Sequence, residues 1–196
     1  MWRYYTHFRV LFQVFVSICW LMSLIMAPCR CMSKPTCLFI GRFQPYHIGH
    51  HLVIKGMVKL CGKIVIGIGS SQESRTEKNP YTAQERKEMI QQTLQDEDII
   101  PMFNVVFIEL SDMEDDEVWA STVLEKAGAV DVVWTGDEWT KKCFEGKIEV
   151  KDIKEVPGIS ATEIRKMIKA GDMDWKTKVP ASVVKGVQDL GYDRIK

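Results

Sequence analysis

The sequence predicts an α/β protein with a Rossmann-like, doubly wound parallel sheet, and three observations carry that expectation. Short β-branched runs alternate with helical segments from Cys37 to Gly191, the pattern of strand–crossover–strand units. The run Lys63–Gly69, KIVIGIG, is apolar throughout and bounded by glycine, as a strand covered on both faces must be. Polar segments follow three of the strands, at Gly41–His50, Ser70–Thr82 and Gly136–Trp139. That places them at the carboxyl edge of the sheet, where such folds bind their ligands.

In order along the chain, Cys37–Ile40 is a short apolar strand, and GRFQPYHIGH is a loop that opens into a helix over about Gly49–Leu60. Lys63–Gly69 is the second strand. Thr82 followed by Glu85 forms a capping box that starts the next helix. Val105–Leu110 reads as a third strand, Glu117–Ala127 as a helix, and Asp131–Thr135 as a fourth strand holding Trp134 inside. Glu149–Val156 is extended and Pro157-Gly158 turns the chain. Ser160 with Glu163 is a second capping box, for a helix that presents Ile164, Met167 and Ile168 on one face. Pro180 opens a last helix that ends near Gly191.

The chain has 196 residues, room for one such domain with an appendage. At 46% hydrophobic and 27% charged residues it is globular and not disordered. Basic and acidic residues balance, so non-specific nucleic-acid binding has no electrostatic support and no nucleic-acid partner is expected. The domain is residues 32–196; residues 1–31 are a hydrophobic leader with Arg3, Arg9 and Arg30 and no acid. Val10–Cys29 carries no charge and is about the length that crosses a bilayer. Met32 opens MSKPTCLFIG only a few residues before the first strand. The leader is therefore either a membrane anchor or an upstream mis-start, and a membrane partner follows only if it is retained. Met26-Ala27-Pro28 is a poor signal-cleavage site. Cys37, Cys61 and Cys143 are scattered without CxxC spacing, so they read as reduced thiols in a cytoplasmic protein, with Cys37 and Cys61 acting as small hydrophobes.

The chemistry concentrates in Gly41–His50. Gly41 ends a strand and lets a ligand approach the backbone. His47 and His50 open a helix, where free N–H groups and the macrodipole favour an anion, and Gly49 between them leaves space for a phosphate. Two imidazoles there donate to phosphoryl oxygens, more strongly if an anion's field protonates them. A metal site using His51 lacks a carboxylate or cysteine to complete it. A second element, Gly158–Arg165, puts Arg165 in the second turn of a helix capped by Ser160. It is either a clamp for a leaving pyrophosphate or an exposed arginine paired with Glu163.

His47-Ile48-Gly49-His50 and Ser160-Ala161-Thr162-Glu163-Ile164-Arg165 together resemble the nucleotidylyltransferase superfamily marked by an HxGH motif and a later S/T-x-x-x-R element. The GRFQP opening, GSSQESRTEKNPYTAQER at Gly69–Arg86, Trp119 in EVWASTV and TGD at Thr135–Asp137 are similar to nicotinamide-nucleotide adenylyltransferases of the archaeal type. The resemblance runs from Cys37 to Lys196. Arg75 departs from its usual histidine, and Gln84 and Ala161 from frequent glycines.

The resemblance implies transfer of the adenylyl group of ATP to the 5′-phosphate of nicotinamide mononucleotide (NMN), giving NAD and pyrophosphate, with Mg²⁺ carried by the triphosphate and no protein metal site. It implies catalytic roles for His47, His50 and Arg165. Gly41, Arg42, Phe43, Gln44, Gly49, Gly136, Asp137, Ile159, Ser160 and Thr162 would bind ATP. Ser70, Ser71, Asp112 and Trp119 would bind the second substrate, with Trp119 stacking on the pyridine ring unless it is an ordinary core tryptophan. Asp112 opens a carboxylate run that otherwise reads as a solvated face. Trp139 follows the TGD loop and is placed to close over a ligand. A homo-oligomer is expected. The rival readings are a transferase acting on phosphopantetheine, glycerol phosphate or flavin mononucleotide, and a membrane-tethered nucleotide sensor without turnover.

Overall fold

In the computed structural model, which describes residues 34–191, five strands form one parallel sheet. They are β1 (Thr36–Gly41), β2 (Lys63–Ile68), β3 (Asn104–Glu109), β4 (Val132–Thr135) and β5 (Glu149–Asp152). Their spatial order is β3-β2-β1-β4-β5, with Phe39 of β1 opposite Ile66 on one side and Trp134 on the other. The chain winds outward from β1 through β2 to β3, then crosses back to add β4 and β5 on the opposite side. The crevice between the ends of β1 and β4 is therefore the topological switch point.

The helices are α1 (Ile48–Leu60), α2 (Ala83–Asp96), α3 (Asp116–Ala127), α4 (Glu138–Phe144), α5 (Ala161–Ala170) and α6 (Ala181–Asp189). A bent turn at Ile99–Met102 and a 3₁₀ segment at Met173–Lys178 complete the elements. Alternation along β1 shows why the sheet needs covering on both faces. Cys37 and Phe39 join a core that includes Ile54, Ile90, Ile164 and Val183 from the helices. Leu38 and Ile40 join a separate core with Trp119, Val123 and Phe144. Burying both faces of three central strands is the main apolar gain of the fold.

The first four predicted strands agree with these elements to within a residue or two, whereas of the extended segment expected over Glu149–Val156 only Glu149–Asp152 joins the sheet. Thr82 and Glu85 form the expected reciprocal capping box on α2. Ser160 caps α5 through the Glu163 N–H, but the Glu163 carboxylate turns to Lys166 at 2.9 Å instead of closing the box. Helix α4 and the 3₁₀ segment were not foreseen, because each is too short to show periodicity.

One expectation is corrected. Cys37 and Cys61 are not free thiols: they form a disulfide, with Cα atoms 6.0 Å apart, from the start of β1 to the cap of α1. Their sequence spacing of 24 gave no cue, since pairing depends on where the crossover helix ends. Cys143 is free and buried. The leader and its two readings lie outside the described residues, and no helix among the described residues is long and apolar enough to cross a membrane.

Candidate active site

A cavity of about 510 Å³ opens at the switch point, between the carboxyl ends of β1 and β4. Its wall includes His47 and His50 from the start of α1, and their arrangement follows from a capping box built of two imidazoles. The His50 N–H donates to Nδ1 of His47 at 3.4 Å, and the His47 N–H donates to Nδ1 of His50 at 3.3 Å. The rings stack with centroids 3.6 Å apart. With both Nδ1 atoms accepting, each neutral ring carries its proton on Nε2. Both rings thus keep one N–H donor beyond the cap bonds.

Burial pushes His47 down to about 4, and burial together with the neighbouring His47 pushes His50 well below the usual imidazole value. The pair is therefore neutral at pH 7 in the free protein. The protonated form considered from sequence would also have to give up a cap bond. Gly49 lines the cavity and has a second, steric reason: a Cβ there would meet Cε1 and Nδ1 of His47 at 3.0 Å. Glycine leaves room for the folded-back imidazole. His51 stands apart, bound to Glu97 at 2.9 Å and to the Tyr46 hydroxyl at 3.1 Å, so it is structural.

Arg42 lines this cavity and also a second one of about 330 Å³, which it shares with Glu77, Lys78, Thr162, Arg165, Lys166 and Lys169, the Glu77 carboxylate being paired with Lys169 at 3.2 Å. Arg165 reaches that wall because Nη1 donates to the Gln44 carbonyl at 2.7 Å and Nη2 to Thr162 Oγ1 at 3.3 Å. Burial and the nearby Arg42 lower its affinity for its proton. Glu163 pairs with Lys166, so the surface-pair alternative for Arg165 is not what the chain adopts. Two guanidiniums close enough to disfavour one another, with no ion pair of their own among the described residues, suit a shared polyanion.

Of the other predicted residues, Gly41, Gly49, Ser70, Asp112, Trp119, Gly136, Asp137, Ile159 and Ser160 line the main cavity. Asp137 caps α4, its Oδ2 accepting from Thr140 N and Oγ1 at 2.8 Å. Asp112 accepts from Ser70 Oγ at 3.1 Å and Gln72 Nε2 at 3.0 Å, which ties the loops after β2 and β3. Phe43, Gln44 and Ser71 are not in the wall. Phe43 is buried against Gly41, where a Cβ would meet its ring at 2.9 Å. The Gln44 amide is spent on both backbone groups of Tyr81, at 2.8 and 3.0 Å. Ser71 bonds Ser111. The side chains of these three shape the loop and do not line this cavity. Among the described residues no three metal-ligating side chains come together.

Residues 38–167 match the cytidylyltransferase-like family model. The nicotinamide-nucleotide adenylyltransferase of Methanolobus tindarius is 36% identical over 162 residues, covering 81% of this chain and 91% of that protein. The one from Thermococcus sibiricus is 38% identical over 163 residues, covering 81% and 87%. The chain belongs to the nicotinamide-nucleotide adenylyltransferase family. Solved structures share the fold at lower identity. A bifunctional NMN adenylyltransferase/ADP ribose pyrophosphatase from Francisella tularensis has a TM-score of 0.69 at 21% identity over 83% of this chain. This chain spans only 52% of that bifunctional protein. Nicotinic acid mononucleotide adenylyltransferase of Plasmodium falciparum gives 0.59 at 16% identity, over 82% of this chain and 98% of that one.

Within this adenylyltransferase family member, sequence reasoning missed Arg86. Its side chain is 0% exposed and donates to four carbonyls: Arg42 and Gly69 at 2.7 Å, Ser70 at 3.1 Å and Thr82 at 3.2 Å. A buried arginine without an ion-pair partner among the described residues is costly, and burial pulls it down to about 10. It stays charged and holds the ends of β1 and β2 together. An arginine in the first turn of α2 was the available signal, since a cation opposes the dipole there. Lys154 and Glu155, from the segment after β5, also line the cavity unforeseen.

Proposed function

We propose that this adenylyltransferase family member transfers the adenylyl group of ATP to the 5′-phosphate of NMN, forming NAD and pyrophosphate. The observation that carries the reading is the capped histidine pair at the switch-point cavity, joined through Arg42 to the Arg165 pocket. Relatives at 36% and 38% identity bear the name of this activity.

The attacking group is already an anionic phosphate, so no activated nucleophile is required. Positioning and charge stabilisation do the work. Nε2–H of His47 and His50 donate to phosphate oxygens as charge develops at the α-phosphorus. Arg42 spans substrate and leaving group, while Arg165, steadied by the Gln44 carbonyl and Thr162, holds the departing pyrophosphate. Mg²⁺ bound to the triphosphate would neutralise part of its charge, its ligands coming from the substrate. Asp112 and Ser70 shape the acceptor side of the cavity.

The test is product formation by the full chain given ATP, Mg²⁺ and one acceptor at a time: NMN, phosphopantetheine, glycerol phosphate or flavin mononucleotide. NAD with stoichiometric pyrophosphate is the expected result, and His50→Ala should cut turnover about 10²-fold. A different preferred acceptor, or tight nucleotide binding without pyrophosphate, overturns the assignment.

A further inference from the structure

His51 lines neither cavity, yet its bonds lead back to the histidine pair. One residue after His50 on α1, it points about 100° further around the helix and is 6% exposed. Its Nε2 lies 2.9 Å from Glu97 Oε1, and its Nδ1 lies 3.1 Å from the Tyr46 hydroxyl. A carboxylate only accepts, so Nε2 carries the proton and Nδ1 of the neutral ring accepts from the Tyr46 O–H. Glu97 caps the C-terminus of α2, where a carboxylate opposes the macrodipole. His51 and Lys55, the latter at 2.7 Å, hold it there. At the other end of this chain of bonds, the Tyr46 ring is fully buried and nearly parallel to the His50 ring. The planes differ by 16° and the centroids are 5.8 Å apart. Phe39 and Phe43 also flank His50, but Tyr46 is the one of these three rings with a polar tether.

We propose that His51 is a positioning residue for catalysis: while neutral it holds the Tyr46 ring alongside His50, and its protonation releases that hold. The inference rests on His50 acting on the ATP phosphates as described above. The bonds between His47 and His50 are long, at 3.3 and 3.4 Å, so packing by neighbouring rings shares in fixing the imidazoles. When His51 gains a proton, Nδ1–H becomes a donor and the Tyr46 bond must reverse. The phenol hydrogen is then stranded, since this hydroxyl makes no other hydrogen bond among the described residues. An unsatisfied buried donor is costly, so the ring leaves its place beside His50. The titratable neighbours of His51 are Tyr46 from the loop before α1, Lys55 on α1 and Glu97 at the end of α2. Tyr46 keeps its proton, because burial and then Glu97 push it well above the usual phenol value. Burial lowers His51, Glu97 raises it and Lys55 lowers it, with a net downward shift. The ring is therefore neutral at pH 7 and gains its proton below about pH 6.5.

Initial rates of the full chain with ATP, Mg²⁺ and NMN test this between about pH 5 and 8, for wild type, His51→Leu and the double variant Tyr46→Phe/His51→Leu. At about pH 7.5, His51→Leu strands the Tyr46 hydroxyl and should lower kcat about tenfold, with KM for both substrates within twofold. Adding Tyr46→Phe removes the stranded group and should bring kcat back to within about threefold of wild type. The ratio of double-variant to wild-type kcat should then rise at least twofold as pH falls to about 5. Only wild type carries His51, whereas ionisation of the substrates is common to both. A merely structural role would move the two profiles together. A constant ratio, or a His51→Leu kcat within twofold of wild type, overturns the proposal while NAD formation stands. Should His51→Leu fail to fold, the double variant and its pH ratio decide alone. A wild type that makes no NAD, or whose rate survives His50→Ala, removes the role of His50 and this inference with it.

Discussion

His47 and His50 cap one another: each ring's Nδ1 accepts the other residue's backbone N–H, with the two rings 3.6 Å apart. The arrangement stabilises the start of α1 and fixes the tautomers at once. The same bonds that satisfy two orphan N–H groups leave Nε2–H as each ring's remaining donor. Structure and chemistry are therefore inseparable at this helix start.

Gly49→Ala separates them. Alanine favours a helix over glycine by about 1 kcal/mol, roughly what one lost cap costs. The added Cβ would press on the His47 ring at 3.0 Å. Thermal unfolding should hardly move, while kcat/KM falls at least tenfold. Full activity in this variant would show that the ring stack is not needed for turnover.

The histidine pair also sets a pH dependence. Burial holds His47 at about 4 in the folded protein against about 6.5 when unfolded. Between these values the unfolded chain binds more protons than the folded one. Stability is thus intact above about pH 6.5 and is lost as pH falls towards 4. Ring-proton NMR of the free enzyme should show no inflection for His47 or His50 between about pH 6 and 8, and His47→Gln should flatten the acid limb of the melting curve. A His47 midpoint near the ordinary imidazole value of about 6.5 would contradict the neutral pair.

Arg86 offers a positional test. Lysine keeps the charge but cannot span carbonyls just past β1, just past β2 and at the cap of α2 from one ammonium. Arg86→Lys should fold, melt a few degrees lower, and lose tenfold or more in kcat/KM as Arg42 and Ser70 lose their anchorage. Arg86→Met should be much less stable, since three of those carbonyls close to the cavity would be left without this donor. Wild-type kinetics in Arg86→Lys would reduce the residue to a packing role.

Much of the fold was legible because it rests on local rules. Alternating apolar runs, the Thr82 capping box and the β-branched KIVIGIG segment each announce one element, and all agree on a parallel sheet. The histidines, Arg42 and Arg165 were legible for the same reason, as unusual residues at helix starts and strand ends. The short α4, with its Trp139, was not, because seven residues carry too little periodicity to signal a helix.

What the sequence determined by itself was therefore the alternation of strands with the longer helices, the loops that meet at the sheet's carboxyl edge, and the histidines and arginines those loops carry. Only the tertiary structure decided which side chains line the cavity. Phe43 and Gln44 turned inward, Gly49 made way for a ring, Arg86 took charge of three carbonyls at the strand ends, and Cys37 met Cys61. The reason is physical. Local patterns fix backbone conformation through short-range sterics and hydrogen bonds. The direction of each side chain is settled by space and unsatisfied polar groups contributed by segments tens of residues away.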